Sequence, residues 1–465
     1  MLNQIINKAG DFGIRIAVGR VIQVRKRSGK FKPKIARSLP RKTPSALALD
    51  HFDFYCGPIF GKNWPSIRAA LLSPHKYIAV VNAFSLSSDA TEAILRDRGA
   101  LNFIDELLSI ESKRQCAERA NKTKTDDIAT EKSSKADDNV AQPSFDEEPA
   151  PRDEFGLSDF QPSKRTFSLG ELEERPLRTG NDDLIITGFE GHGSEIPKKD
   201  HVIQFPKRLR LYVHPRNDLT DFPSPDKDSS GVPTWWLLDG GSVIPVLALN
   251  LQKGETMLDM CAAPGGKSLL SVQTLLLDRL VCNDAKMSRL GQLRHALASF
   301  IPSTLDVANR VILKHKNAAN IKTWDELEAY DKVLVDAPCT TDRLSVSTDE
   351  NNIFSLGMTN ERLNLPELQT KLLINGLRSL KPGGSLVYST CALSPVQNEV
   401  VVENAVALAK EKFNIEVNEL SLSMLITCLR KSGLYRIWNC NVGALILPFL
   451  PSNFGPMYFC KLQRV

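Results

Sequence analysis

From about residue 201 to residue 465, short apolar runs alternate with segments whose apolar residues recur at helical spacing. The run 256–260 is bounded by Gly254 and by a Pro-Gly-Gly turn, which predicts a short strand buried in a parallel sheet. Segment 267–277 carries apolar residues that share one face of a helix. A strand that leads into a helix through Gly265 and Gly266 is typical of the first unit of a doubly wound sheet, in which ligands bind beyond the carboxyl ends of the strands.

The same alternation continues through the rest of this region and predicts an α/β sandwich. Further strands are predicted at Leu209–Val213, Arg279–Asp284, Arg310–Leu313, Lys332–Asp336 and Ser385–Tyr388. Further helices are predicted at Trp235–Leu251, Pro366–Leu380 and Gln397–Lys412. The final apolar runs, Gly443–Phe449 and Met457–Lys461, predict an antiparallel hairpin that closes the sheet.

The amino-terminal half shows a different pattern. Residues 50–110 are compact and aromatic, and a helix is predicted to open at Trp64-Pro65, because a proline in the first turn has no hydrogen bond to lose. We predict a small helical cap there. Residues 111–200 carry charge without apolar periodicity and cannot bury enough surface to offset the entropy of ordering, which predicts a largely disordered insertion. Residues 201–465 form the predicted catalytic domain.

Residues 1–49 form a basic leader. Arginine and lysine are frequent there, Asp11 is the only acid before Asp50, and apolar residues recur at helical spacing from Ile5 to Ile16. A basic, acid-poor, amphipathic start is typical of a mitochondrial transit peptide and predicts import into the matrix. The alternative is a solvated basic arm that contacts RNA.

Composition narrows the class of protein. The chain has 465 residues, a hydrophobic content of 42% and a charged content of 24%, as expected for a globular protein. The net charge of +5 is too mild to indicate nucleic-acid binding by itself. No apolar run has the length needed to cross a bilayer. The nine cysteines form no C-x-x-C pair, which argues against a zinc ribbon or a disulfide framework and favours a reducing compartment.

Polar residues follow the first predicted strands where a cofactor would bind. The spacing of a phosphate loop is absent, since Gly254 lies too far from Gly266. Asp284 ends the second strand, where a carboxylate accepts both ribose hydroxyls of an adenosine-bearing cofactor; the alternative is a cap on the next helix. Arg289 lies about one turn into that helix, and Asn317 follows the third strand.

A second group lies at the ends of the next predicted strands. Asp336 and Cys339 follow one strand, and Cys391 follows its neighbour. A thiol with a pKa near ~8.5 needs activation before it acts as a nucleophile, and desolvation raises the pKa of a carboxyl such as Asp336. For any single cysteine the alternative is an inert buried side chain, which is our interpretation of Cys261 in the glycine loop.

Several strings carry a resemblance to a known family. These are Asp-x-Cys-Ala-Ala-Pro-Gly-Gly-Lys at 259–267, Asp-Ala-Pro-Cys-Thr-Thr-Asp-Arg at 336–343, Tyr-Ser-Thr-Cys-Ala-Leu-Ser at 388–394 and Asn-Phe-Gly-Pro-Met-Tyr-Phe-Cys-Lys at 453–461. Together they resemble the Sun-type (NOL/NOP/Sun) RNA 5-methylcytosine methyltransferases, and within them the mitochondrial branch that acts on small-subunit ribosomal RNA. The resemblance implies a class I, Rossmann-like fold that binds S-adenosyl-L-methionine.

The resemblance also implies roles for individual residues. Cys391 is the expected nucleophile, Cys339 is expected to assist product release, and Asp336 and Lys267 complete the expected catalytic set. Relatives usually carry an aspartate at the position of Asn317, where it hydrogen-bonds the adenine amine. The expected cofactor-binding residues are Ala262, Pro264, Gly265, Gly266, Lys267, Asp284, Arg289, Asn317 and Asp336.

Partners and alternatives follow from the same resemblance. It implies an RNA substrate, an mTERF-family protein partner and the mitoribosomal subunit. Because DNA cytosine methyltransferases use the Pro-Cys residue for attack, an alternative assigns that step to Cys339. A different class of function is a mitoribosome assembly factor in which catalysis is secondary, and transfer RNA is a possible additional substrate.

Overall fold

The computed structural model describes residues 42–116, 196–218 and 220–465. Most of the predicted leader and of the predicted insertion lies outside these residues. The leader boundary predicted at residue 49 falls within a helix, Pro44–Phe60, whose amino-terminal cap is Thr43 and whose residue Ala48 is fully buried. None of the helices in the described segments combines the length and apolar character needed to cross a membrane.

The amino-terminal region contains the predicted helices and also strands. In chain order its elements are α1 (Pro44–Phe60), α2 (Trp64–Leu72), β1 (Tyr77–Val81), α3 (Ser88–Asp97), β2 (Leu101–Asn102) and α4, described over 103–116. After the insertion come β3 (Lys198–Lys199), β4 (Leu211–Val213) and β5 (Trp235–Asp239). Strands β2, β4, β1 and β5 form a four-stranded antiparallel sheet in that order. This sheet joins strands from segments that the sequence analysis treats as separate domains.

The catalytic region alternates helices and strands as predicted. Its elements are α5 (Gly240–Leu249), β6 (Thr256–Asp259), α6 (Gly266–Gln273), β7 (Arg279–Asn283), α7 (Met287–Phe300), α8 (Asp306–Arg310), β8 (Val311–Lys314), β9 (Tyr330–Asp336), α9 (Asp342–Ser347), α10 (Thr359–Leu363), α11 (Leu365–Ser379), β10 (Leu380–Thr390), α12 (Glu399–Phe413), β11 (Val417–Leu420), α13 (Ser423–Lys431), β12 (Arg436–Asn439), β13 (Ala444–Leu447) and β14 (Met457–Arg464).

The main sheet has ten strands, and its principal path is β8-β7-β6-β9-β10-β14-β13-β12. The first five of these strands are parallel, and β14, β13 and β12 are antiparallel. The consecutive residues Val333, Leu334 and Val335 of β9 are all fully buried, as expected for a strand covered on both faces. The doubly wound α/β fold and its closing antiparallel hairpin are therefore confirmed.

One predicted helix, Trp235–Leu251, was wrong over its first residues. Trp235–Asp239 is strand β5, and the helix begins at Gly240. Asp239 has extended backbone angles and its carboxylate accepts a hydrogen bond from the backbone N–H of Ser242, so it caps the helix. A Cβ on Gly240 would meet the Phe454 ring at 2.5 Å, so only glycine permits this packing. The predicted helix 267–277 also ends earlier, at Gln273, and Leu275 has φ 58°.

Arg343 joins the amino-terminal region to the catalytic region. Its guanidinium donates to the carbonyl oxygens of Ala70 at 3.0 Å and Ser73 at 3.2 Å, at the carboxyl end of α2. It also donates to the carbonyl oxygen of Gly455 at 2.7 Å and to the side-chain oxygen of Asn453 at 2.9 Å. A cation is stabilised at the end of a helix, where carbonyl groups lack intrahelical donors.

Candidate active site

The glycine loop lies between β6 and α6, beyond the carboxyl ends of the parallel strands. The backbone N–H of Ala262 donates to the carbonyl oxygen of Asn283 at 2.9 Å, which holds the loop against the end of β7. Gly265 has φ 120°, a conformation that side-chain-bearing residues rarely adopt, and a Cβ there would lie 2.8 Å from Leu293 Cδ1. Pro264 is exposed in the same loop. The loop conformation therefore depends on glycine and on backbone hydrogen bonds.

Asp259 is a buried acid beneath this loop to which the sequence analysis assigned no role. It is 1% exposed, and Ser268 Oγ donates to its Oδ2 at 2.6 Å. Burial raises the pKa of Asp259 to about 7, against the opposing effect of the Ser268 hydrogen bond. Its position as the first residue of the Asp-x-Cys-Ala-Ala-Pro-Gly-Gly-Lys string was the only signal that pointed to it.

Asp284 follows β7 and is buried. Its Oδ1 accepts a hydrogen bond from the Lys286 backbone N–H at 2.9 Å, while its buried Oδ2 has no hydrogen-bond donor among the described residues. Arg289 Nη1 lies 3.7 Å from that oxygen. The amino-terminal cap position of helix α7 is Lys286, so Asp284 is not the capping residue that the alternative interpretation required. A buried acceptor without a donor fits the ribose hydroxyls of S-adenosyl-L-methionine.

The side chains of Arg289 and Asn317 both form hydrogen bonds with backbone groups. The Arg289 guanidinium donates to the carbonyl oxygen of Ala263, in the glycine loop. Asn317 is exposed beyond β8, and its side-chain oxygen accepts a hydrogen bond from the Ala319 backbone N–H at 3.1 Å. The amide oxygen therefore already stabilises a turn of its own chain.

The two predicted cysteines are in direct contact. Cys339 Sγ and Cys391 Sγ are 3.1 Å apart, and both thiols are free. The pairing of β9 with β10 explains this proximity, because Asp336 lies opposite Ser389 and each cysteine follows within three residues. The hydrogen bond with Cys339, followed by burial, raises the pKa of Cys391, whereas the Lys267 ammonium lowers it.

An ion pair lies beside the cysteines. Lys267 Nζ donates to Asp336 Oδ2 at 2.7 Å, and Ser389 Oγ donates to Asp336 Oδ1 at 2.7 Å. The side chain of Asp336 is 31% exposed and that of Lys267 is 11% exposed, so the carboxylate stays accessible to a ligand. Burial lowers the pKa of Lys267, but the attraction and hydrogen bond of Asp336 raise it overall, which keeps the ammonium charged.

Side-chain hydrogen bonds behind the cysteines were not predicted. The Thr340 backbone N–H donates to Gln397 Oε1 at 3.2 Å, and Gln397 Nε2 donates to the Thr340 hydroxyl oxygen at 3.0 Å. Gln369 Nε2 donates to the carbonyl oxygen of Pro338 at 2.8 Å. Asp342 is 1% exposed and bonds to both cysteine loops. Asp342 belongs to a string quoted for the resemblance and Gln397 opens a predicted helix, but the contacts that these two residues make depend on the sheet register.

The structure thus brings Lys267, Asp336, Cys339 and Cys391 together at the strand ends, with the glycine loop and Asp284 on the neighbouring strands. Within the described residues, no group of three or more His, Cys, Asp or Glu side chains has the geometry to hold a metal ion. The arrangement offers two thiols in contact with each other and a carboxylate paired with an ammonium.

Comparison with known proteins gives consistent results. The family model described as 16S rRNA methyltransferase RsmB/F matches residues 246–438. The chain is 51% identical to the 5-cytosine rRNA methyltransferase nsun-4 of Caenorhabditis elegans over 450 residues, covering 95% of this chain and 97% of the relative. It is 36% identical to the 5-cytosine rRNA methyltransferase NSUN4 of Xenopus tropicalis, covering 94% and 95% of the two chains. It is 37% identical to a mitochondrial tRNA (cytosine(34)-C(5))-methyltransferase of Danio rerio, covering 55% and 67%.

Proposed function

The chain belongs to the Sun-type RNA 5-methylcytosine methyltransferase family, and on that premise we propose that it methylates C5 of a cytosine in mitochondrial small-subunit ribosomal RNA. The observation that carries the proposal is the contact between Cys339 and Cys391 beside the Lys267–Asp336 ion pair. A lone buried thiol is commonly inert, but a thiol pair next to an accessible carboxylate at a ligand-binding sheet edge matches the needs of cytosine methylation.

Cytosine C5 is a poor nucleophile, and the chemistry requires a temporary bond at C6. Attack by the Cys391 thiolate at C6 makes C5 electron-rich, so that C5 can accept a methyl group. In the proposed mechanism the partly exposed Asp336 carboxyl accepts a hydrogen bond from the exocyclic amine of the base and, in its protonated form, donates one to N3. Its hydrogen bonds with Lys267 and Ser389 support this orientation. These contacts favour addition because they stabilise charge that develops on the ring.

Release of the enzyme needs a second group. After methyl transfer, a base removes the C5 proton and the Cys391–C6 bond breaks. Cys339 Sγ lies 3.1 Å from Cys391 Sγ, and this contact supports assigning the assistance of release to Cys339. The reverse assignment, in which Cys339 attacks and Cys391 assists release, uses the same contact and makes the opposite experimental prediction.

S-adenosyl-L-methionine is the methyl donor of this family, and it supplies the methyl group that C5 accepts. The orphan Oδ2 of Asp284 and the close backbone of the glycine loop support its binding beyond β6 and β7. The residues that we propose to hold it are Ala262, Pro264, Gly265, Gly266, Lys267, Asp284, Arg289, Asn317 and Asp336.

The chain acts on RNA in the mitochondrion, and we further propose the matrix as the compartment. The basic, acid-poor leader supports this location. An mTERF-family partner and the small mitoribosomal subunit remain proposals that rest on the family resemblance. A leader fused to a fluorescent protein should reach the matrix, and a cytosolic or nucleolar signal from the full-length protein would contradict the proposal.

Bisulfite sequencing of mitochondrial RNA tests the proposed reaction. Cells that lack the protein should lose one or more 5-methylcytosines in small-subunit ribosomal RNA, and wild-type protein should restore them while Cys391→Ala should not. If Cys391→Ala restores subunit assembly without methylation, the protein acts mainly as an assembly factor. If the lost sites lie only in transfer RNA, the substrate assignment is wrong.

A further inference from the structure

We propose that Asp342 is a positioning residue that sets the spacing of the two catalytic cysteines. The inference rests on the proposed function and extends it to a side chain with no assigned role. Asp342 opens α9, immediately after the loop that carries Cys339, and it reaches across to the loop that carries Cys391.

The contacts of Asp342 bridge the two loops. Its Oδ2 accepts a hydrogen bond from the Leu393 backbone N–H at 2.7 Å, two residues beyond Cys391. Its Oδ1 accepts a hydrogen bond from the Thr340 hydroxyl, one residue beyond Cys339. Its own backbone N–H lies 3.4 Å from the carbonyl oxygen of Cys391 and donates to it. One residue therefore fixes the backbone on both sides of the sulfur pair.

The direction of the Thr340 hydrogen bond follows from its neighbours. Gln397 Nε2 donates to the Thr340 hydroxyl oxygen at 3.0 Å, so the hydroxyl proton is available for Asp342. The Asp342 carboxylate thus receives two donors, and none of its described hydrogen bonds comes from a cation. Burial raises the pKa of Asp342 to about 6, while these hydrogen bonds oppose the rise. A carboxylate buried without a cation is costly, and such sites are enriched where function needs them.

Backbone strain lies between these contacts. Thr341 has φ 45°, in the left-handed region, where a β-branched residue is a strained outlier. The residues on both sides of it are held by Asp342 and by the Thr340–Gln397 hydrogen bonds. Without the carboxylate, the strained turn is free to relax, and Cys339 moves with it. The sulfur contact therefore depends on a side chain that touches neither sulfur.

The expected kinetic effect is on kcat rather than on binding. Displacement of a reacting group by about 1 Å costs on the order of 100-fold in rate. We expect Asp342→Ala to lower kcat by about 10- to 100-fold. Because the described contacts of Asp342 do not include the glycine loop or Asp284, the Kd for S-adenosyl-L-methionine should stay unchanged.

The rate of disulfide formation measures the sulfur spacing without catalysis. Treatment with diamide joins Cys339 to Cys391 when the sulfurs are close: the thiols lose two protons and two electrons, and diamide takes up both to become the hydrazine. The wild type, with sulfurs 3.1 Å apart, should cross-link quickly. Asp342→Ala should cross-link at least about 10-fold more slowly, since a disulfide tolerates little displacement of its sulfurs.

A conservative variant, Asp342→Asn, and a control variant at a second buried position complete the experiment. Asp342→Asn can still accept from Leu393 and can donate to the Thr340 hydroxyl oxygen, so it should recover part of the cross-linking rate and of kcat. Asn375→Ala is the matched control, because Asn375 is fully buried and donates to the Ala318 carbonyl oxygen at 2.7 Å, away from the cysteines. It should lose similar stability and cross-link like the wild type.

Each outcome decides the proposal. Slow cross-linking in Asp342→Ala with wild-type cross-linking in Asn375→Ala supports it. Wild-type cross-linking in Asp342→Ala, or equal slowing in Asn375→Ala, overturns it. If Asp342→Ala does not fold, Asp342→Asn decides alone: slower cross-linking supports the proposal, and an unchanged rate overturns it. Absence of RNA methylation by the wild type, with cross-linking still dependent on Asp342, would contradict the proposed function and leave the positioning role standing.

Discussion

The site is divided between two regions that are built in different ways. The loops after β6 and β7, which we propose bind the cofactor and call the cofactor half, are shaped by backbone hydrogen bonds, by glycine conformation and by the Asp284 carboxylate. The cysteine half, formed by the loops after β9 and β10, is held by buried side chains, above all Asp342 and Gln397. The cofactor half should therefore be sensitive to changes at a few motif residues, whereas the cysteine half should also be sensitive to changes at residues that touch no substrate.

The largest effect should come from the cysteine pair. Cys391→Ala cannot form a covalent bond to C6, so methylation should cease. Cys339→Ala should still attack and transfer the methyl group but stall before release, because the group in contact with Cys391 is missing. A denaturing gel with substrate RNA should show a slow-migrating protein–RNA band for Cys339→Ala only. The double variant should show no band, and a band for Cys391→Ala would reverse the assignment.

The next largest effect tests the cofactor half. Asp284→Ala should weaken the binding of S-adenosyl-L-methionine by roughly 1.5–3 kcal/mol, because a charged hydrogen-bond acceptor is lost. Isothermal titration calorimetry measures this directly. Asp278→Ala is a suitable control, since Asp278 is an exposed acid just before the same strand. Equal affinity in Asp284→Ala and the wild type would show that the cofactor half does not depend on this carboxylate.

A smaller effect should appear in the stability of the glycine loop. Gly265→Ala should lower the free energy of unfolding by about 1–3 kcal/mol, since its φ of 120° is strained for alanine and its Cβ would lie 2.8 Å from Leu293. Urea denaturation is the measurement. Gly291→Ala, in α7 with nothing within 4 Å of its Cβ, should instead raise stability by about 0.5–1 kcal/mol. Destabilisation by both variants would show that the effect is not specific to the loop.

The smallest effect concerns pH. The pKa of Cys391 is raised, so the thiolate is scarce at neutral pH and the rate of adduct formation should rise as pH increases through the alkaline range. The hydrogen bond with Cys339 is the largest cause of that rise. Cys339→Ala should therefore lower the pKa of Cys391 and move the single-turnover profile towards acid. A profile that stays in place, or moves towards alkali, would show that Cys339 does not control the thiol.

The cofactor half was more open to prediction from sequence than the cysteine half. The strand, the glycine turn and the helix of the first unit are contiguous, so local pattern was enough to place Gly265 and Gly266. Cys339 and Cys391 were brought together correctly because each follows a recognisable strand of the same sheet. The boundary at Gly240 was missed because an apolar strand leads directly into an apolar helix without a change in pattern.

The side-chain hydrogen bonds behind the cysteines were beyond sequence reasoning. Asp342 bonds to Leu393 across 51 positions, and Gln397 bonds to Thr340 across 57. The register of β9 against β10 brings these pairs together, so their contacts can be predicted only if that register is known to the residue. A buried acid commonly has a basic partner, but the described hydrogen bonds of Asp342 come from a hydroxyl and a backbone N–H. A search of the sequence for paired charges would therefore not have identified Asp342 as a positioning residue.

Arg343 bears on whether the enzyme can be reduced to a minimal catalytic fragment. Arg343 directly follows Asp342, and its guanidinium donates to the carbonyl oxygens of Ala70 and Ser73. A fragment that begins at residue 201 would lack both of these acceptors. It would also remove β1, the central neighbour of β4 and β5. The fragment would then expose the half-buried Arg343 side chain, both edges of β4 and one edge of β5. We therefore expect that the amino-terminal region is not a detachable module, and that the catalytic motifs of this chain do not mark the limits of an autonomous enzyme.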